Sequence, residues 1–297
     1  MKQIKYTVNP YVTIRKAGLK KYLIKQGIIS SKSFILETDD LIDADIKLLN
    51  QIAIGESVEI DTNNGYSSKL VEFLMEESIL IEEHLSDSEK YYQLINSGKD
   101  NKLLKGKSVG LLCHNKFANQ QVKENLKEAF IQVKDLTLDD LNGDFKSISF
   151  VLVISDHFDS LTFHQINNIL VKKKIPFMIN FLDGNTTFIS PIFIGQETVC
   201  YNEMEVQLEA ALFYKDSYLA YKNDTEGHYQ IPNFLLGQLI FYSIHFTIDY
   251  LITNRLKTKN RALLFDLESL RYDIVDILPE PYCLGCRNEN KKAHDFL

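Results

Sequence analysis

Apolar positions along the chain follow two rhythms, short strand-like runs first and alternating strand and helix runs later. YVTIRKAG (11–18) and LKKYLIKQG (19–27) are β-branched and aromatic runs meeting at Ala17-Gly18, which predicts a hairpin, and SKSFILET (31–38) predicts a third strand. DDLIDADIKLLNQIAIG (39–55) sets Ile42, Ile46, Leu49 and Ala53 at helical spacing, with Asp39 or Asp40 to cap its start and Gly55 to end it. YSSKLVEFLMEESIL (66–80) places Leu70, Phe73 and Leu74 on one helical face. Strands followed by helices over residues 1–84 outline a small winged-helix module, and polar residues 85–105 read as a helical connector.

From residue 106 to 297 the pattern is that of a Rossmann-type α/β domain. KSVGLLCH (107–114), SISFVLVISD (147–156) and IPFMINFL (175–182) predict buried strands; NQQVKENLKEAF (119–130) and LTFHQINNILVKKK (161–174) predict the helices between them. DGNTTFISPIFIG (183–195) predicts a hairpin, 232–254 a long helix and 261–278 a strand pair. The long helix carries Gln238, His245 and Asp249, which reads as a buried amphipathic helix and not a membrane span. No internal repeat is present.

The formal net charge of −7 argues against a nucleic-acid binder, and the acidic first block argues against a DNA-binding winged helix. The N-terminus shows no signal pattern, so a cytoplasmic location is expected, and four cysteines then point to thiols or metal ligands.

LCHNKFANQQ (112–121) occupies the strand-to-helix turn where a Rossmann-type domain holds phosphate. It contains no glycine, and Asn115, Lys116 and Phe117 fill the space a phosphate needs, so no ATP is expected on this chain. In SDHFD (155–159), Asp156 is expected to cap a helix; His157 and His164 lie two helical turns apart and could share a face, without a third metal ligand beside them. Cys113 reads as a core thiol. Cys283 and Cys286 form a Cys-x-x-Cys, and Cys200 with Glu203 repeats that spacing with a carboxylate in the second place. Zinc takes sulfur and oxygen ligands, so both a four-ligand site and free thiols stay open on the residues alone.

FVLVISDHFDSLTFHQINNILVKKKIPFMINFLDG (150–184), FISPIFIGQETVCYNE (188–203) and LFDLESLRYDIVDILPEPYCLGC (264–286), in this order, resemble the leader-peptide-binding, ThiF-like partner proteins of YcaO-type cyclodehydratases, which make azole and azoline peptides such as the microcin B17-like and streptolysin S-like toxins. The likeness runs over nearly the whole chain. Ser190-Pro191 stands for the family's Gly-Pro, Gly195 for its Pro, and Glu203 for the second Cys of its Cys-x-x-Cys.

The resemblance implies an α/β protein, a winged-helix recognition element joined to a ThiF-like scaffold, that is not catalytic on its own. A precursor peptide's leader would add as a strand beside Ser33, Phe34, Ile35 and Leu36 and pack on Leu70, Phe73 and Leu74, though any of these residues could equally be core. It further implies structural zinc at Cys200, Glu203, Cys283 and Cys286, a homodimer, a separate ATP-dependent YcaO-type partner, and in some systems an FMN-dependent dehydrogenase. An adenylating ThiF-like enzyme and a winged-helix regulator are the alternatives.

Overall fold

The computed structural model describes residues 4–27, 29, 32–39, 41–60, 69–95, 104–145, 147–222 and 231–286. The chain is mixed α/β and divides into two compact units, residues 1–102 and 103–297.

The first unit contains two three-stranded antiparallel sheets. β2 (Val12–Lys16), β3 (Lys21–Gln26) and β4 (Ser33–Glu37) form a meander with β3 in the centre. β1 (Ile4–Val8) pairs with β5 (Val58–Ile60) on one side and β6 (Leu80–Glu82) on the other. Alternation along β3 buries Tyr22 and Ile24, which meet Leu49 and Ile52 of α1 (Asp43–Ala53) and Leu70 and Leu74 of α2 (Lys69–Glu76) in one core. The Tyr22 hydroxyl donates to Asn50 Oδ1 at 2.6 Å, so its polar end is satisfied.

Ile42 occupies the N-cap of α1 without a side-chain cap, and Asp39 is ion-paired with Lys20 at 2.6 Å; Asp40 lies outside the described residues. Gly55 follows α1 at φ +85°, the left-handed position that ends a helix. Residues 87–95 of the expected connector form α3 (Asp87–Ile95), which belongs to this unit: Asn9 Nδ2 donates to Lys90 O at 2.9 Å, Ser78 Oγ to Gln93 O at 2.9 Å, and Leu94 is buried.

The second unit is built on one seven-stranded sheet, ordered β13-β12-β11-β10-β9-β7-β8. β7 (Ser108–Cys113), α4 (Lys116–Glu128), β8 (Gln132–Asp135), β9 (Phe150–Ser155), α5 (Ser160–Lys173) and β10 (Phe177–Asp183) give its parallel half. β11 (Thr186–Ile189), β12 (Arg261–Asp266) and β13 (Arg271–Asp276) continue it antiparallel. β9 and β10 read as unbroken apolar runs because both sheet faces are covered. β8 is a polar edge strand, and its periodicity did not announce it.

The hairpin sits one element earlier than 183–195 suggests. It joins β10 to β11 around Gly184 (φ +58°), while Phe193 returns to bridge Phe177. Pro191 cannot donate to a ladder, which ends β11 there.

Two helices then precede the long one: α6 (Tyr201–Ala211) and α7 (Lys215–Tyr221). α8 (Asn233–Thr253) is long and apolar enough to cross a membrane by length and composition, but it packs against α4, β9, β10 and β11. Its inward polar groups are satisfied. Ser243 and Thr247 donate to carbonyls one turn back, Asn180 Nδ2 donates to Ser243 Oγ at 2.8 Å, and Lys257 pairs with buried Asp249 at 2.6 Å.

Candidate functional site

Cys200 is the N-cap of α6, placed there by the segment that returns along β10. The tail after β13 crosses the start of the same helix. Gln207 Nε2 donates to Leu278 O at 2.6 Å, the Leu278 N–H donates to Gln207 Oε1 at 2.9 Å, and the Glu280 N–H donates to Glu203 Oε1 at 2.8 Å. This brings Cys283 and Cys286 to Cys200 and Glu203. One ligand atom from each of the four lies within 4.8 Å of all the others, and all four residues are buried.

Cys200 Sγ and Cys283 Sγ are 3.6 Å apart, and Cys286 Sγ donates to Glu203 Oε2 at 3.4 Å. The tail passes so close that a Cβ on Gly285 would stand 3.1 Å from Asn202 Cβ and 3.5 Å from Cys200 Sγ. The adjacent Cys286 thiol, which can turn its proton to the Cys200 sulfur instead of Glu203, pulls the Cys200 thiol down to about 7, and that pairing, with burial, pushes Cys286 up. Burial also raises Cys283. Cys200 is therefore the site's readiest thiolate, the form that ligates metal.

The set fits zinc. Zn–S bonds of about 2.3 Å at tetrahedral angles imply S–S edges of about 3.8 Å, close to the observed 3.6 Å. Glu203 could ligate through Oε2 while the Glu280 N–H holds Oε1, an outer-shell contact of the kind that orients ligands. Glu203 also does something its spacing did not reveal: Oε2 accepts the Cys200 N–H at 2.8 Å, completing a capping box at the start of α6.

The β7–α4 turn is closed by its own side chains. Asn115 caps α4, accepting from the Ala118 N–H at 3.1 Å and donating to Asp156 Oδ2 at 3.2 Å. Asp156 is thus not a helix cap. Asp159 caps α5, accepting from the Thr162 N–H at 3.1 Å, while His157 pairs with Asp156 at 2.8 Å and holds its carboxyl below the usual range. His157 and His164 share no face: His157 precedes α5, whereas His164 pairs with Glu205 on α6. Burial pushes the Cys113 thiol up to about 11. Asn115→Ala is expected to cost about 1 kcal/mol through loss of the cap, read as a lower urea midpoint at constant slope.

In the first unit, β4 pairs only with β3, so its other edge is free among the described residues. Ser33 and Ile35 are exposed, Phe34 and Leu36 half-buried. Phe34 meets Phe73 of α2 edge-to-face, centroids 5.4 Å apart. Leu70 and Leu74 are core, at 5% and 0% exposure, so the accessible helix wall is Phe73. On α2 the i, i+4 pair points inward and the residue before Leu74 rotates to the rim.

No family model matches the chain, and no curated protein does. Solved structures share its fold. A heterocyclase in complex with substrate and cofactor superposes with TM-score 0.70 at 14% identity, over 95% of this chain and 39% of that one. The heterocyclase TruD gives 0.67 at 15%, over 95% and 43%. Escherichia coli MccB gives 0.61 at 14%, over 98% and 99%; MccB has also been solved with MccA and with ATP. The chain therefore spans about two fifths of the heterocyclases' length (39% and 43%) and is coextensive with MccB. At these identities the likeness establishes a heterocyclase- and MccB-type fold.

Proposed function

We propose that this chain is the precursor-peptide-binding scaffold of a heterocycle-forming system, presenting a ribosomal peptide to a separate ATP-dependent YcaO-type enzyme. The observation that carries the reading is the fold shared over 95% of the chain with a heterocyclase solved with its substrate. The free β4 edge supports it, since an unpaired strand offers main-chain hydrogen bonds to an added one and the Phe34–Phe73 rim offers a side-chain pocket. The capped β7–α4 turn supports placing ATP chemistry on the partner.

In this reading the first unit is a winged-helix recognition element and the second a ThiF-like scaffold whose clasp takes structural zinc. Exposed Phe241, Tyr272 and Ile274 favour pairing with a second copy.

Calorimetric titration with the leader of a co-encoded precursor is expected to show binding that Phe34→Ala weakens about tenfold, or about 1.4 kcal/mol. No binding, or binding indifferent to that change in a folded variant, would sink the proposal. A second reading, an adenylating enzyme, draws on the coextensive MccB solved with ATP. Binding of ATP by the isolated chain would favour it.

A further inference from the structure

Outside the clasp and the β4 edge, the second unit holds a cavity of about 600 Å³. It lies at the carboxyl ends of β9 and β10, under α6 and α7, and falls in the size range of sites for small organic ligands. Aromatic rings dominate its wall: Phe158, Phe181, Phe188, Tyr201 and Tyr218, with Phe181 and Phe188 stacked at 4.5 Å and 11°. Phe213 and Tyr214 at the rim are 90% and 73% exposed.

The polar groups of this wall differ in one respect. Glu205 is already engaged: its Oε1 accepts from Ser160 Oγ at 2.6 Å and the Tyr218 hydroxyl at 2.8 Å and pairs with Lys222 at 3.1 Å, while its Oε2 faces His164 in an ion pair. Asp183 stands solvent-exposed at the mouth, its carboxylate has no hydrogen-bond or ion-pair partner among the described residues, and the wall behind it raises that carboxyl above the ordinary range by partial desolvation. The Tyr201 hydroxyl is fully buried, with no well-formed hydrogen bond among the described residues.

The protein already holds one ammonium in this setting. Lys222 Nζ lies 5.5 Å from the Tyr218 ring centre and 3.1 Å from Glu205. The Glu205 charge is offset by Lys222 and His164, which leaves Asp183 as the uncompensated charge that would repel an anionic ligand. A neutral apolar ligand would cover Asp183 and leave it without a donor, which is costly. A cation with an apolar body meets both the ring faces and the free carboxylate.

We propose that this cavity binds an organic cation, an aromatic or branched apolar group carrying one protonated nitrogen, with Asp183 as its counter-charge. The inference stands independently of the peptide-scaffold reading.

Titration of the full chain, followed by NMR, would use phenethylamine, its neutral counterpart 2-phenylethanol and its anionic counterpart 3-phenylpropionate. The amine is expected to bind at least about tenfold tighter than either. Asp183→Asn should erase that preference while leaving 2-phenylethanol unchanged, and Leu208→Trp, which fills the cavity, should abolish all binding. A second arm compares phenethylamine with the peptide Phe-Gly-Gly: tighter binding of the peptide assigns the cation to a chain's amino terminus, the reverse to a free amine. Equal affinity for amine and alcohol, amine binding unmoved by Asp183→Asn, or no binding at millimolar amine would overturn the proposal.

Discussion

Replacing Glu205 with alanine is expected to destabilise the second unit by about 3 kcal/mol, at the lower end of what breaking a buried ion pair costs. The measurement is the urea midpoint at constant slope. Glu205 is 2% exposed, and its carboxylate ties α6 to two other helices: α5 through Ser160 and His164, and α7 through Tyr218 and through Lys222 just beyond it. Its loss strands those donors, but His164 and Lys222 keep partial access to water, at 29% and 22% side-chain exposure, which holds the cost down.

The same carboxylate gives a pH signature. Although burial opposes it as the largest single influence, the donors His164, Ser160 and Tyr218 together pull its pKa down to about 2 from an ordinary 4.5. A depressed carboxylate contributes stability that is fully present above the unfolded value and lost as pH falls through the folded one. The window is therefore between 4.5 and about 2, and the contribution is about 3 kcal/mol. Over that window Glu205→Ala should show a correspondingly flatter decline in stability; an unchanged acid profile would contradict the assignment.

What the sequence pattern carried and what it hid follow from where each residue's partners lie. β9 and β10 were legible because a strand covered on both faces must be apolar throughout. α6 was not, because its buried face carries Glu203 and Glu205, so a core helix reads as a polar one. β1 escaped notice because it is short and its register partners, such as Ile60 for Ile4, are remote in sequence. In SDHFD the pattern announced a cap but pointed to Asp156, the wrong aspartate. Asp159 adjoins the helix and takes the role, which leaves Asp156 to bind Asn115.

For the peptide edge, helical spacing grouped Leu70, Phe73 and Leu74 together, and only packing separates the two core leucines from the rim phenylalanine. The aromatic cavity left no motif, since its rings come from loops, strands and two helices.

Glu203→Cys is expected to tighten zinc binding at the clasp by at least about tenfold, since an all-sulfur set suits zinc better than one with a carboxylate. Competition with a chromogenic chelator would measure it, alongside elemental analysis of the purified chain. The exchange has a second consequence that separates a metal clasp from a merely hydrogen-bonded one. Glu203 accepts the N–H groups of Cys200 and Glu280 at 2.8 Å each, and a cysteine gives up both. Stranding the buried Cys200 N–H costs about 1–3 kcal/mol and the part-buried Glu280 N–H less, so the metal-free variant should be less stable than the metal-free parent while the zinc-loaded variant regains the loss. Chelation should then lower the variant's melting temperature more than the parent's. If neither protein retains zinc, and stability responds only to the loss of the Glu203 carboxylate, the tail is pinned by hydrogen bonds and the thiols are passengers.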